Sequence, residues 1–150
     1  MVDLTEFESI SPYTDEQASE ALGKLADYPA VAQASRYFFP EESPDFLKNV
    51  LKQIKTIDQF QVLVMQRFVR WVLEHTAKNF SYDGISNIDT SKKFLALSNH
   101  RDIIMDPAIT QLVLHTNGIP MTEIAVGDNL ITNEAIEYLI RSNRMIKVVR

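Results

Sequence analysis

The spacing of hydrophobic residues divides the chain into two parts with different periodicities. In the first part, hydrophobic residues recur at steps of three and four, which is the spacing of an amphipathic helix. Proline and capping residues separate four such stretches, at about residues 14–27, 30–39, 44–54 and 57–78. The pattern therefore predicts an N-terminal helical segment over residues 1–78.

Local signals predict where three of these helices begin. Thr14 and Gln17 have the capping-box spacing, in which each residue accepts a backbone N–H from the other, and Thr56 and Gln59 repeat it. Ser43 precedes a proline, which is the arrangement of an N-cap hydroxyl before a first-turn proline. We expect helices to start at these three places.

The second part alternates short apolar runs with helical stretches. We expect an edge strand or hairpin over Phe80–Ile88 and a strand buried on both faces over Lys92–Ser98. A helix, a strand, a helix and a final strand are then predicted at about residues 106–117, 123–127, 132–141 and 145–150. This order is typical of βαβ units. The sequence therefore predicts an α/β fold, with βαβαβ units that form a mostly parallel sheet within residues 79–150.

Composition and charge narrow the function classes. The chain has 150 residues, 45% of them hydrophobic, and a net charge of -5. This charge argues against a nucleic-acid partner held by phosphate contacts, so we expect none. The absence of cysteine excludes disulfides, iron–sulfur clusters, thiolate zinc sites and a cysteine nucleophile.

The chain shows neither a secretory signal nor an apolar stretch of the length that a membrane span needs. The longest apolar run, Phe60–Leu73, is interrupted by polar and charged residues. We expect a cytoplasmic protein, with peripheral attachment to the inner face of the membrane as a further expectation.

Polar clusters follow the predicted strands at Asn99–Asp102, Asp128–Asn129 and Arg150. In open α/β sheets ligands bind beyond the carboxyl ends of the strands, so we expect these clusters to share one edge. The first cluster is the densest, because Asp102 and Asp106 lie near His100 in sequence. An imidazole held by a carboxylate can act as a general base toward a hydroxyl.

Each of these acids also has a structural interpretation. Asp106 precedes a proline, as a helix N-cap does, and Asp102 has the character of a turn residue. Asp128 and Asn129 also fit turn and cap positions. His and carboxylate groups are metal ligands, but the cluster lacks a second histidine, so we expect no metal.

The segment Ser98–Pro107 resembles the first motif of the glycerolipid acyltransferase family, which follows a buried strand and carries a His–Asp pair. Glu123–Leu130 resembles the segment that follows the motif helix in bacterial members. Met145–Arg150 resembles the second motif, a short apolar strand that ends in an arginine. The resemblance covers about residues 80–150.

This resemblance implies transfer of a fatty acyl group from acyl-CoA or acyl-carrier protein to a hydroxyl of glycerol phosphate or a lysophospholipid, in phospholipid biosynthesis. His100 would be the general base. Asp106 would orient it, although the His–Asp spacing is one residue longer than usual, and Asp102 is the alternative partner. Neither a metal nor an organic cofactor is implied.

Three further residues have roles that the resemblance implies. Asn99, Arg101 and Arg150 would contact substrate, with Arg150 facing the phosphate of the acceptor. The family's third motif should lie beyond Arg150, so we expect this chain to be the N-terminal part of a longer protein. The uncovered final strand leads us to expect association with that remainder or with a second copy.

Two rival functions stay open at the level of sequence. The first is a non-catalytic module that binds a lipid or a protein partner on the same fold. The second is a hydrolase or metal-dependent enzyme that uses His100 with its neighbouring acids.

Overall fold

The structure is a computed structural model that describes residues 4–149, with side chains described from residue 7 onward. Within these residues the chain is 55% helical and has one parallel sheet of two strands. The helices are α1 (Leu4–Ile10), α2 (Asp15–Leu25), α3 (Pro29–Phe38), α4 (Phe46–Gln53), α5 (Ile57–Phe60), α6 (Gln66–Thr76), α7 (Met105–Thr116) and α8 (Glu134–Arg141). A π-helical turn lies at Gln61–Met65, 3₁₀ turns lie at Ile85–Asn87 and Asp128–Leu130, and the strands are β1 (Ile124–Gly127) and β2 (Met145–Val148).

The capping box predicted for α2 is complete. The backbone N–H of Gln17 donates to Thr14 Oγ1 at 3.3 Å, and the backbone N–H of Thr14 donates to Gln17 Oε1 at 2.9 Å. At α5 only half of the pattern forms. The hydroxyl of Thr56 accepts from the backbone N–H of Gln59, whereas the Gln59 side chain accepts from Lys55. Local sequence therefore sets both helix starts.

The predicted N-cap at Ser43 is wrong. Helix α4 begins at Phe46, and its N-cap residue is Asp45, which makes no side-chain capping bond. The carbonyl of Ser43 instead accepts the backbone N–H of Phe46 in a turn. The turn at residues 43–46 delays the helix, so the proline stands before the helix rather than in its first turn.

The described chain forms two compact units, and the first unit joins the residues up to Met65 with those from Glu123 onward. Its core is a cluster of buried apolar residues from α2, α3, α4, α5 and the connections between them. The cluster members are Leu22, Ala26, Val31, Phe39, Leu47, Leu51, Ile54, Phe60 and Val64. Helix α2 packs against both α4 and α8. The helical bundle and the sheet therefore belong to one folded body.

The sheet of the first unit is a single βαβ unit. Strands β1 and β2 pair in parallel, with Ile124 opposite Met145 and Gly127 opposite Val148. Helix α8 forms the connection, and the side chain of Asn133 caps it by accepting the backbone N–H of Ile136 at 3.0 Å. The α/β prediction is confirmed in this coarser form, as a mostly helical fold with a small parallel sheet.

The second unit spans Gln66–Thr122 and is built on helices α6 and α7, which pack against each other. Val69 on α6 and Leu112 and Leu114 on α7 are buried. The Gln111 side chain extends this packing into the following loop, because it donates to the carbonyl of Thr122 at 3.0 Å and accepts the Thr122 backbone N–H at 2.9 Å.

Two strand predictions in this unit are wrong. Phe80–Ile88 contains no strand, and Gly84 adopts a left-handed φ of 81° before the 3₁₀ turn. Lys92–Ser98 also forms no strand and is exposed throughout, with Leu95 at 84% and Leu97 at 87% exposure. The apolar run was expected to be buried on both faces, but no strand of the described sheet pairs with it.

The domain boundary at residue 78 stays a prediction. The first compact unit ends at Met65, the last residue of the π-helical turn, and resumes at Glu123. The predicted helix over residues 57–78 is observed as α5, the π-helical turn and α6.

Candidate functional site

The loop before α7 contains the predicted catalytic cluster. Asp102 holds the second half of this loop in place through hydrogen bonds to the backbone. Asp102 Oδ1 accepts the backbone N–H groups of Ile104 at 2.8 Å and Met105 at 2.7 Å. These N–H groups lie at the start of α7, where a helix leaves donors unsatisfied. They lower the pKa of the Asp102 carboxyl below its ordinary value, and the nearby charge of His100 contributes a smaller lowering.

Asp106 organises the first half of the same loop. Its Oδ2 accepts the backbone N–H of Arg101 at 2.5 Å and that of Asp102 at 3.1 Å. Asp106 is the second residue of α7, so it reaches backward from the first turn instead of occupying the predicted N-cap position. The two carboxylates thereby hold residues 101–106 in one turn. The turn interpretation of Asp102 is confirmed, whereas the N-cap interpretation of Asp106 is wrong.

His100 lies at the exposed entrance to this turn. Among residues 4–149, no hydrogen bond joins its imidazole to Asp102 or Asp106, whose described bonds are to backbone N–H groups. The charge of His100 acts on Asp102 and contributes to the lowered pKa of that carboxyl. The structure therefore places an accessible imidazole next to a braced turn, with Asp102 as the acid that it influences.

The shared sheet edge that the sequence predicted does not form in this structure. Asn99, His100 and Arg101 are exposed and belong to the second unit, where the preceding segment is not a strand. Asp128 and Asn129 follow β1 in the first unit and start a 3₁₀ turn, as turn residues do. Arg150 lies outside the described residues. The carboxyl ends of parallel strands meet at one edge only when the strands belong to the same sheet. Because the segment before Asn99 is not a strand, its polar residues do not lie at such an edge.

The first unit contains a cavity that no pattern in the sequence predicts. It has a volume of about 230 Å³, it is partly open, and its walls are apolar. Helices α2, α3, α4, α5 and α8 and the π-helical turn contribute its lining, which includes Leu25, Tyr28, Val31, Ala34, Leu51, Phe60, Val64, Ala135, Ile136 and Leu139. Elements far apart in sequence form it, so periodicity alone could not reveal it.

A carboxylate lies beside this cavity, at the start of α8. Glu134 directly precedes the lining residues Ala135 and Ile136. Its Oε2 accepts from the phenol of Tyr28 at 3.2 Å, and its Oε1 accepts from the phenol of Tyr138 at 2.5 Å. The bond to Glu134 raises the pKa of Tyr138 to about 12. The i, i+4 spacing of Glu134 and Tyr138 was visible in the sequence, whereas the contact with Tyr28 was not.

Two further findings concern residues 4–149 as a whole. Their helices do not combine the length and the apolar character that a bilayer span requires. Within the same residues, no group of three or more histidine, aspartate or glutamate side chains is placed to hold a metal ion.

Comparisons of the chain with protein-family models, with curated protein sequences and with solved structures give no match.

Proposed function

We propose that the chain is part of an acyltransferase that moves a fatty acyl group from acyl-CoA or acyl-carrier protein to a hydroxyl of glycerol phosphate or a lysophospholipid. The observation that carries this proposal is the exposed His100 imidazole beside a turn that two carboxylates brace. The resemblance of Ser98–Pro107 to the acyltransferase motif supports it. The same proposal includes a fold with a mostly parallel sheet of several βαβ units. It also includes a cytoplasmic location with peripheral attachment to the membrane.

The proposed chemistry is a direct transfer. His100 removes the proton from the acceptor hydroxyl as the oxygen attacks the thioester carbonyl, and the C–S bond then breaks. The thiolate leaves and takes up the proton from the imidazolium. Asp102 is the acid that we assign as the partner of that imidazolium, because its charge interacts with that of His100 in the folded chain. Asp106 keeps the turn in place through its two backbone hydrogen bonds.

In this proposal, positively charged side chains bind the phosphate groups of the substrates. Arg101 is exposed next to His100 and provides a guanidinium for the phosphate of the acceptor or the carrier. Asn99 provides an amide beside the same imidazole, and Arg150 contributes a second guanidinium.

A thiol-release assay with acyl-CoA and glycerol-3-phosphate tests the proposal. It is run on the 150-residue chain and on a form extended beyond Arg150, where the third motif of the resembled family is expected. We expect His100→Ala to lower the rate by about 10²–10⁴-fold, the usual range for general-base catalysis. His115→Ala is the matched control, since His115 is also exposed in the second unit, and it should leave the rate unchanged.

Equal rates for the unsubstituted protein and His100→Ala would contradict the mechanism. Comparison of Asp102→Asn with Asp106→Asn separates the two acids. We expect both to lower activity, with Asp102→Asn having the larger effect on turnover and Asp106→Asn the larger effect on the integrity of the turn.

The second proposal is a non-catalytic module that binds a lipid or a protein partner. The apolar cavity of the first unit is the observation that favours it. Lack of turnover in both forms of the protein, together with saturable binding of an apolar ligand, would support this alternative.

A further inference from the structure

The apolar cavity in the first unit is large for a packing defect. Engineered cavities of about 150 Å³, lined by similar residues, stay dry and bind benzene. The cavity here measures about 230 Å³ and borders the main core cluster through Val31, Leu51, Phe60 and Val64. Because the cavity is partly open, its apolar lining meets solvent where a ligand could provide dispersion contacts. Its walls offer no polar group, so the part of a ligand inside it must be apolar.

The carboxylate at the start of α8 determines which head group such a ligand should carry. In the described part of the first unit, Glu137 pairs with Arg141 and Lys147, and Glu20 pairs with Lys24. Glu134 differs, since its described hydrogen bonds come from two phenols. The charge of Lys24 acts on Glu134 without a hydrogen bond between them, so the carboxylate can still accept from a further donor. A carboxylate that lacks a hydrogen-bonded cation is complementary to a cationic or hydroxyl donor.

Tyr28 connects the apolar and the polar parts of this site. Its side chain contributes to the cavity wall, and its phenol donates to Glu134 at 3.2 Å, which is long for an O–H···O bond. A head group that donates to Glu134 can therefore share or replace this bond. An anionic head group would instead meet the Glu134 carboxylate as a like charge.

We propose that this cavity binds the aliphatic tail of an amphiphile whose head group, an ammonium or a hydroxyl, donates a hydrogen bond to Glu134. The site lies entirely within the first unit and does not depend on acyl transfer at His100. It deepens the second proposed function, which rests on the same cavity. Turnover at His100 is measured separately, so a failure to bind would leave the acyltransferase proposal standing.

Titration with octylamine, 1-octanol and octanoate, each below the concentration at which it forms micelles, tests the head-group requirement. We expect saturable binding of octylamine and 1-octanol, and at least tenfold weaker binding of octanoate. Glu134→Gln should reduce the preference of octylamine over octanoate by about tenfold. Equal affinities for the three probes, or no saturable binding of any of them, would overturn the proposal.

Filling the cavity tests its location. Ala34→Leu adds bulk to the lining and should weaken 1-octanol binding at least tenfold, whereas Ala32→Leu is a matched control on the exposed side of the same helix. Unchanged binding in Ala34→Leu would overturn the proposed site.

Methyl NMR of the unsubstituted chain gives a second measurement that needs no variant. The probe should shift the signals of Val64 and Leu139, which line the cavity, and leave those of Leu112 and Leu114 in the other unit unchanged. Shifts confined to Leu112 and Leu114 would show that the amphiphile binds elsewhere and would overturn the proposal.

Discussion

The two compact units differ in how they treat their apolar residues. The first unit buries apolar residues from four helices and the connections between them in one cluster. The second unit buries Val69, Leu112 and Leu114, yet it leaves Phe94, Leu95 and Leu97 exposed. The apolar run of the second unit has the composition of a buried strand, so composition alone does not bury a segment. A strand also needs a neighbouring edge, which β1 and β2 provide for each other.

The same comparison applies to polar groups. In the first unit, Glu134 accepts hydrogen bonds from Tyr138 on its own helix and from Tyr28, which precedes α3 and is distant in sequence. In the second unit, Asp102 and Asp106 bond to backbone N–H groups within five residues of themselves. The candidate catalytic turn is therefore a local structure, whereas the site proposed at Glu134 depends on the tertiary fold.

The largest expected effect on the free energy of unfolding comes from replacing a buried phenylalanine by alanine, and a phenylalanine in the other unit provides the comparison. Phe60 is 1% exposed in the core of the first unit, and Phe60→Ala should lower the free energy of unfolding by about 3–5 kcal/mol. Phe94→Ala in the exposed run should lower it by much less. Urea denaturation followed by circular dichroism measures both values. Similar losses for the two variants would show that the exposed run is buried in solution.

A smaller effect is expected at the cap of α2. Thr14→Ala removes the acceptor for the backbone N–H of Gln17 and should cost about 0.5–2 kcal/mol of unfolding free energy. The same denaturation experiment measures it, with Thr132→Ala as a control at an exposed loop position that precedes the N-cap of α8. A loss for Thr14→Ala no larger than that for Thr132→Ala would contradict the capping assignment.

Tyr138, whose phenol donates to Glu134, makes a pH-dependent contribution to the free energy of unfolding. Its pKa is about 12 in the folded chain, against an ordinary value of 10.0. The folded state therefore holds this proton more tightly than the unfolded state, so the contribution is complete below pH 10 and is lost as the pH rises toward about 12. The ultraviolet titration of the wild type minus that of Tyr138→Phe should show a single phenolate with a midpoint near 12. A difference midpoint near 10 would indicate that the bond to Glu134 does not form.

The smallest expected effect is at the most exposed leucines. Leu95→Ala and Leu97→Ala should each change the free energy of unfolding by less than about 0.5 kcal/mol, as is usual for exposed positions. A loss of 2 kcal/mol or more, on the order of that for a buried leucine, would contradict the exposed placement.

A substantial part of the fold could be predicted where the determining interactions are local. The starts of α2 and α5 follow from Thr14 and Thr56, whose side chains bond to N–H groups three residues ahead. Helix α7 ends near Asn117, and Gly118 adopts the left-handed φ of 70° that favours glycine. The bonds of Asp102 and Asp106 are equally local, so the turn role of Asp102 could be anticipated from the sequence, whereas the N-cap position expected for Asp106 was wrong.

Tertiary structure alone decided the other features. Whether residues 92–98 pair as a strand depends on a neighbouring edge, and the segment carries no information about whether one is present. The cavity and the contact between Tyr28 and Glu134 bring together residues that are distant along the chain. Local hydrogen bonds act within about one helical turn and are encoded by short patterns, whereas packing depends on which surfaces meet after the chain has folded.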